Sequence, residues 1–262
     1  MTVEVLLSTW APTFLLLLAR CSGVVALGPV FGVQVLPPAL KIGLAGILAI
    51  LLTPLLAGRH LPLPDSGVGL TAALLGELMI GAVLGLAVRF VFAGIGVAGE
   101  LVAVQMGVGL PGALDPHSMS QVTSVNSFLD QVAILVFLLV GGHHAVLGAL
   151  AQSVTLTPPL TVAFRGGSLE FLAGLFGSAL TLAIRLAAPV GAAMFATTVT
   201  LGLLNRIAPQ VNVFMVSFAL TLGVGLLVLL AALPIMATVM AGSFQQLPTT
   251  LGVLIIRLRH GI

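Results

Sequence analysis

Charge is what this chain has least of: 6% of its 262 residues are Asp, Glu, Lys or Arg, where a soluble domain carries about 25%. With 59% hydrophobic residues and a mean hydropathy of +1.26, water is not the solvent for most of its surface. No hydrophilic stretch approaches the ~50 residues that a soluble domain needs, so the sequence reads as one integral domain, 1–262. The formal net charge of +2 and the absence of any Lys/Arg cluster able to hold phosphates argue against nucleic acid. Lysine is nearly missing too, which leaves Arg as the working cation beside Lys41. Cys21 is the single cysteine, so no intrachain disulfide and no thiolate metal site can form. Leu18-Ala19-Arg20-Cys21 is a poor lipoprotein signal, because Arg20 stands where a small residue belongs and Glu4 where positive charge belongs. A buried structural cysteine in a retained first helix is expected.

What is abundant is long apolar runs, and a helix spans a bilayer with about 20 such residues. Runs are expected over 5–27, 39–56, 67–104, 122–140, 169–204 and 211–240, with a mixed stretch over 145–164. The expected fold class is an all-α integral membrane protein of about six apolar segments. The 67–104 run exceeds one perpendicular span, and Gly94, Gly96 and Gly99 suggest a bend or break there. Gly141-Gly142-His143-His144 interrupts the fourth run, and Pro189 and Pro234 are expected to kink the last two. With six spans, loop Arg/Lys places both termini in the cytoplasm, on few charges.

Arg20, Glu77, Arg89, Glu100, Asp130 and Arg185 all lie inside apolar runs. An unpaired charge at mid-bilayer costs at least about 2.5–3.5 kcal/mol, so partners are implied, within the chain or on neighbouring subunits. Snorkelling to the headgroups is open to Arg20 but less so to the shorter Glu77 and Asp130. Glu77, Gly81, Gly85 and Arg89 repeat every four residues and so share one stripe of a helix. An acid, two flat spots and a base make a packing face of the GxxxG kind, unless the glycines merely reflect membrane-helix composition. His143-His144 has no neighbouring ligand set for a metal. Nucleophile elbows, HExxH and P-loops are absent, so neither an enzyme nor a cofactor is expected.

The stretch 105–120, Gln-Met-Gly-Val-Gly-Leu-Pro-Gly-Ala-Leu-Asp-Pro-His-Ser-Met-Ser, is rich in Gly and Pro yet not very hydrophilic. Irregular backbone at membrane depth is tolerated only where it is buried in protein or lines a wet cavity. Two readings stand on composition: a movable apolar plug for a pore, or an ordinary interhelical connection.

Ala98-Gly99-Glu100, then Gln105-Met106-Gly107, then Asp115-Pro116 resemble the central signature of the FliR/SctT family, flagellar and injectisome export-gate subunits. Arg20 with Gly28-Pro29-Val30-Phe31-Gly32, Glu77 with Gly81 and Gly85, Phe137 with Gly141-Gly142-His143, and Arg206-Ile207-Ala208-Pro209-Gln210-Val211-Asn212-Val213-Phe214 follow in the family's order. The resemblance covers residues 20–230. It implies a non-enzymatic subunit of a type III secretion export gate in the bacterial inner membrane, at the flagellar basal body. Its helices would be tilted and broken, a FliP-like part followed by a FliQ-like hairpin. Implied partners are FliP- and FliQ-type subunits, the FlhB-type switch protein, the FlhA-type export protein, unfolded export substrates and membrane lipid. The plug would comprise Met106, Gly107, Gly109, Leu110, Pro111, Gly112, Asp115, Pro116 and Met119. Charge pairing and subunit packing would fall to Arg20, Glu77, Gly81, Gly85, Arg89, Glu100, Asp130 and Arg206. A stand-alone small-molecule transporter is the competing reading, though no internal repeat of the transporter kind is visible.

Overall fold

The computed structural model describes residues 3–29, 37–56, 61, 64, 66–108, 124–160, 166–207 and 213–260. Among them every regular element is a helix: α1 (Val3–Leu27), α2 (Pro38–Leu52) with a 3-10 turn Thr53–Leu56, α3 (Gly67–Gln105), α4 (Ser124–Leu139), α5 (Gly142–Leu156), α6 (Gly166–Ile207), α7 (Val213–Gln245) and α8 (Leu247–His260). Five helical stretches are long and apolar enough to cross a membrane, and six if the bent α4–α5 pair forms one span. The protein is an all-α integral membrane protein.

Local chemistry explains the boundaries. Pro38 opens α2, where its missing N–H costs nothing. Gly141 takes φ 75°, a left-handed conformation that ends α4 and starts α5. The 145–164 stretch is therefore not mixed in its first part: α5 carries on as helix until Thr157 and the Pro158-Pro159 turn stop it.

α3 differs from expectation, running 39 residues with no break at Gly94, Gly96 or Gly99. Those glycines serve close approach instead. A Cβ on Gly94 would stand 2.5 Å from the Ala179 carbonyl oxygen, and one on Gly99 would stand 2.9 Å from Asn126 Cα. α6 and α7 have Pro189 and Pro234 inside them, as helices that continue on both sides of each proline.

The chain forms two compact units, each assembled from separated stretches. The first takes 1–90, 141–176 and 245–262; the second takes 91–140 and 177–244. In the first, α1 packs on α2 and α5 packs on α8. Its core includes Leu16, Leu17, Cys21, Ile80, Leu84 and Leu150, all buried. Helix α8 had no counterpart in the expected runs. Its signal was present: Leu251, Leu254, Ile255 and Leu258 recur at helical spacing and are all buried. Arg257, on the same helix, stacks its guanidinium 5.1 Å from the Phe171 ring centre. In the second unit, Phe92, Phe137 and Phe244 form a three-ring cluster with centroids 5.1–5.4 Å apart, and Val190, Met194 and Met236 are also buried.

Candidate functional site

Arg20 lies on α1 with no exposed surface, a position that apolar surroundings tolerate only if every donor is spent. Its Nε and Nη2 lie 2.7 and 2.6 Å from Glu77 Oε2 on α3. Nη1 donates to the Ser153 carbonyl at 2.8 Å and to Ser153 Oγ at 3.3 Å. Nη2 also donates to the Thr157 carbonyl at 3.0 Å. The other carboxylate oxygen of Glu77 accepts the Leu160 N–H at 3.2 Å.

This geometry ties together three helices of the first unit. Both carbonyls lie at the C-terminal end of α5, where the helix dipole is negative: that of Ser153 already accepts the Thr157 N–H at 3.0 Å, and that of Thr157 lies past the last helical turn, where carbonyls lack helical partners. α5 has no basic residue of its own in its last turn. Arg20 supplies the missing cation from α1, and Glu77 neutralises it from α3. Leu160 sits at φ 73°, a left-handed conformation costly for a branched side chain, with its N–H held by Glu77.

The glycines let the backbones approach closely enough for that pair to form. A Cβ on Gly81 would overlap the Arg20 carbonyl oxygen, and one on Gly23 would overlap that of Leu78. A Cβ on Gly85 would stand 3.0 Å from the Val24 carbonyl oxygen. Glu77, Gly81 and Gly85 thus face α1 within the chain. Arg89, at the end of the same four-residue series, is exposed.

Glu100 and Arg206 are also exposed, and Arg206 lies in the last turn of α6, where a cation suits the dipole. Among the described residues Arg89, Glu100, Asp130 and Arg206 have no ion-pair partner; the one pair found is Arg20–Glu77. Asp130 is half-buried on α4. Its Oδ1 and the Oδ1 of Asn126 would lie 3.7 and 3.8 Å from a Cβ on Gly96 of α3. Asn126 Oδ1 is buried without a hydrogen-bond partner among the described residues.

Of the residues assigned to the 105–120 stretch, Met106 and Gly107 are described. Gly109, Leu110, Pro111, Gly112, Asp115, Pro116 and Met119 lie outside the described residues. Met106 is fully buried, and Gly107 takes φ 77°. His143 and His144 stack with ring centroids 4.0 Å apart, and no group of three or more His, Cys, Asp or Glu among the described residues could hold a metal ion.

Sequence reasoning missed Ser153, Thr157 and Leu160. The first two are a polar pair at helical spacing just before Pro158-Pro159, a visible signal of a helix C-terminus, but nothing local says that an arginine 133 residues away caps it.

The family model for bacterial export proteins, family 1, matches residues 11–247. The chain is 33% identical over 236 residues to the flagellar biosynthetic protein FliR of Pectobacterium carotovorum subsp. carotovorum, covering 86% of each chain. It is 30% identical over 248 residues to the protein of the same name from Escherichia coli K12, covering 91% of each. The same name belongs to a Bacillus subtilis protein, 28% identical over 238 residues, which covers 89% of this chain and 91% of its own. A match over that span, which takes in most of the chain, places it in the family of bacterial export proteins, family 1.

Proposed function

We propose that this chain is a non-enzymatic subunit of the flagellar type III export gate in the bacterial inner membrane. It helps form and plug the channel that passes unfolded flagellar proteins, with ATPase and proton gradient acting from outside the subunit. The observation that carries this reading is the family match over 11–247, together with flagellar relatives similar over nearly their whole length.

In this reading the whole of 1–262 works as one export-gate domain, a FliP-like part joined to a FliQ-like hairpin. FliP- and FliQ-type subunits are its direct neighbours, and FlhB- and FlhA-type proteins complete the gate. Arg20 and Glu77 hold the subunit's own helices together. The exposed Arg89, Glu100 and Arg206 are left to meet neighbouring subunits. The segment 106–120, which begins with Met106 and Gly107, plugs the channel.

Two measurements test it. Gentle solubilisation recovers the chain with FliP- and FliQ-type subunits; a well-folded lone copy active in liposomes would instead indicate a stand-alone transporter. Deleting 109–115 leaves the complex assembled and makes the membrane leaky to small ions. An assembled deletion variant of unchanged permeability removes the plug from this account.

A further inference from the structure

The Gln105-Met106-Gly107 triplet ends α3 in a defined way. The Gly107 N–H donates to the Val104 carbonyl at 3.1 Å, and the Val108 N–H donates back to the Ala103 carbonyl at 3.1 Å. With Gly107 left-handed between them, this is the paired closure of a Schellman cap. It spends two of the last carbonyls of α3 and turns the chain sharply out of the helix axis.

The two side chains before the glycine each lie on a bare stretch of another helix. Met106 meets α7 at Gly225: a Cβ there would stand 2.5 Å from Met106 Cγ, 2.9 Å from Cε and 3.0 Å from Sδ. Gln105 meets α6 at Gly191, where a Cβ would stand 3.1 Å from Oε1 and 3.4 Å from Nε2. All four residues belong to the second compact unit. At Gly225 the obstructing atoms are those of one side chain, not backbone. Gly223, two residues earlier on α7, would meet nothing within 4 Å.

From this arrangement we infer that Met106 is a positioning residue: it keys the end of α3 to the flat surface of α7 at Gly225, with Gln105 keyed to Gly191 on α6. The triplet is thus the fixed root from which the chain leaves α3. Its consequence for permeability rests on the plug reading above; the keyed contact itself does not.

The test compares Gly225→Ala, Met106→Ala, the double variant and Gly223→Ala in the full complex. Two properties are read: ion leak across the membrane, and half-life of the complex in detergent. Overpacking against a filled site shifts populations by at least about fivefold, and this is the expected rise in leak for Gly225→Ala. Met106→Ala raises leak as well, and adding Gly225→Ala to it adds nothing, because the obstructed side chain is gone. Gly223→Ala is silent. If Gly225→Ala impairs assembly, restored assembly in the double variant is the supporting result.

Keying is overturned if Gly225→Ala behaves as wild type in both readouts, if its effect persists undiminished without Met106, or if Gly223→Ala matches it. Coupling in half-life with no leak, alongside a silent 109–115 deletion, supports the key and removes the plug. A leaky deletion with no coupling does the reverse.

Discussion

A guanidinium with no exposed surface is stable here because five polar contacts account for it, two of them to the Glu77 carboxylate. Removing one partner of such a pair leaves an uncompensated buried charge, which costs about 3–5 kcal/mol. Arg20→Met alone, or Glu77→Met alone, is expected to lower the thermal unfolding midpoint of the solubilised complex sharply. Replacing both with apolar residues of similar volume recovers most of that loss, since a buried pair and a well-packed apolar pair differ little in net stability. A double variant as unstable as the worse single one would show that the Ser153 and Thr157 carbonyls, not Glu77, are what Arg20 is needed for. The sequence marked both Arg20 and Glu77 as charges that demand partners. It did not pair them, because they stand 57 positions apart and only helix packing brings their charged atoms to 2.6 Å.

At the scale of the helix, glycines separate into those whose bare face is used and those whose face is free. Gly81 has α1 backbone where its Cβ would be, and backbone cannot give way as a side chain can. Gly76, five residues earlier on α3, faces open space. Gly81→Ala is therefore expected to prevent the α1–α3 contact and remove folded protein from the membrane fraction. Gly76→Ala is expected to be neutral or stabilising by up to about 1 kcal/mol, because alanine favours helix over glycine. Equal yields for the two variants would mean that α1 is not held where Arg20 and Gly81 place it. Periodicity located α1, α2, α4 and the two longest C-terminal helices to within a few residues, since apolar runs of membrane length have few other solutions. It bounded α3 to within one residue but allowed a break at Gly94, Gly96 or Gly99 that does not occur, because a glycine that permits a break and a glycine that admits a neighbouring backbone look alike in a sequence. It passed over α8, whose apolar residues recur at helical spacing but sit among Thr, Arg and His.

For the molecule as a whole, large apolar side chains remain on the outside: Leu139, Ile207, Leu227 and Ile235 are all more than half exposed. Lipid accounts for such a surface, but not for exposed Arg89 and Glu100 within α3. A charge in a lipid-facing apolar span costs at least about 2.5–3.5 kcal/mol, a penalty that a complementary neighbour removes. Arg89→Leu is thus expected to reduce recovery of the multi-subunit complex while leaving the amount of this chain in the membrane unchanged. Pull-down yields normalised to membrane content measure it, and undiminished recovery would assign Arg89 to the headgroup region. The composition settled that the chain lives in a membrane, and the length of its continuous apolar runs that it is helical, because the closed barrel that lipid also admits would need short alternating strands. Which charge meets which, which glycine is a seat and which is spare, and where α3 stops and is keyed all depended on folding. Those are contacts between residues tens to more than a hundred positions apart, and no local pattern encodes a distance in space.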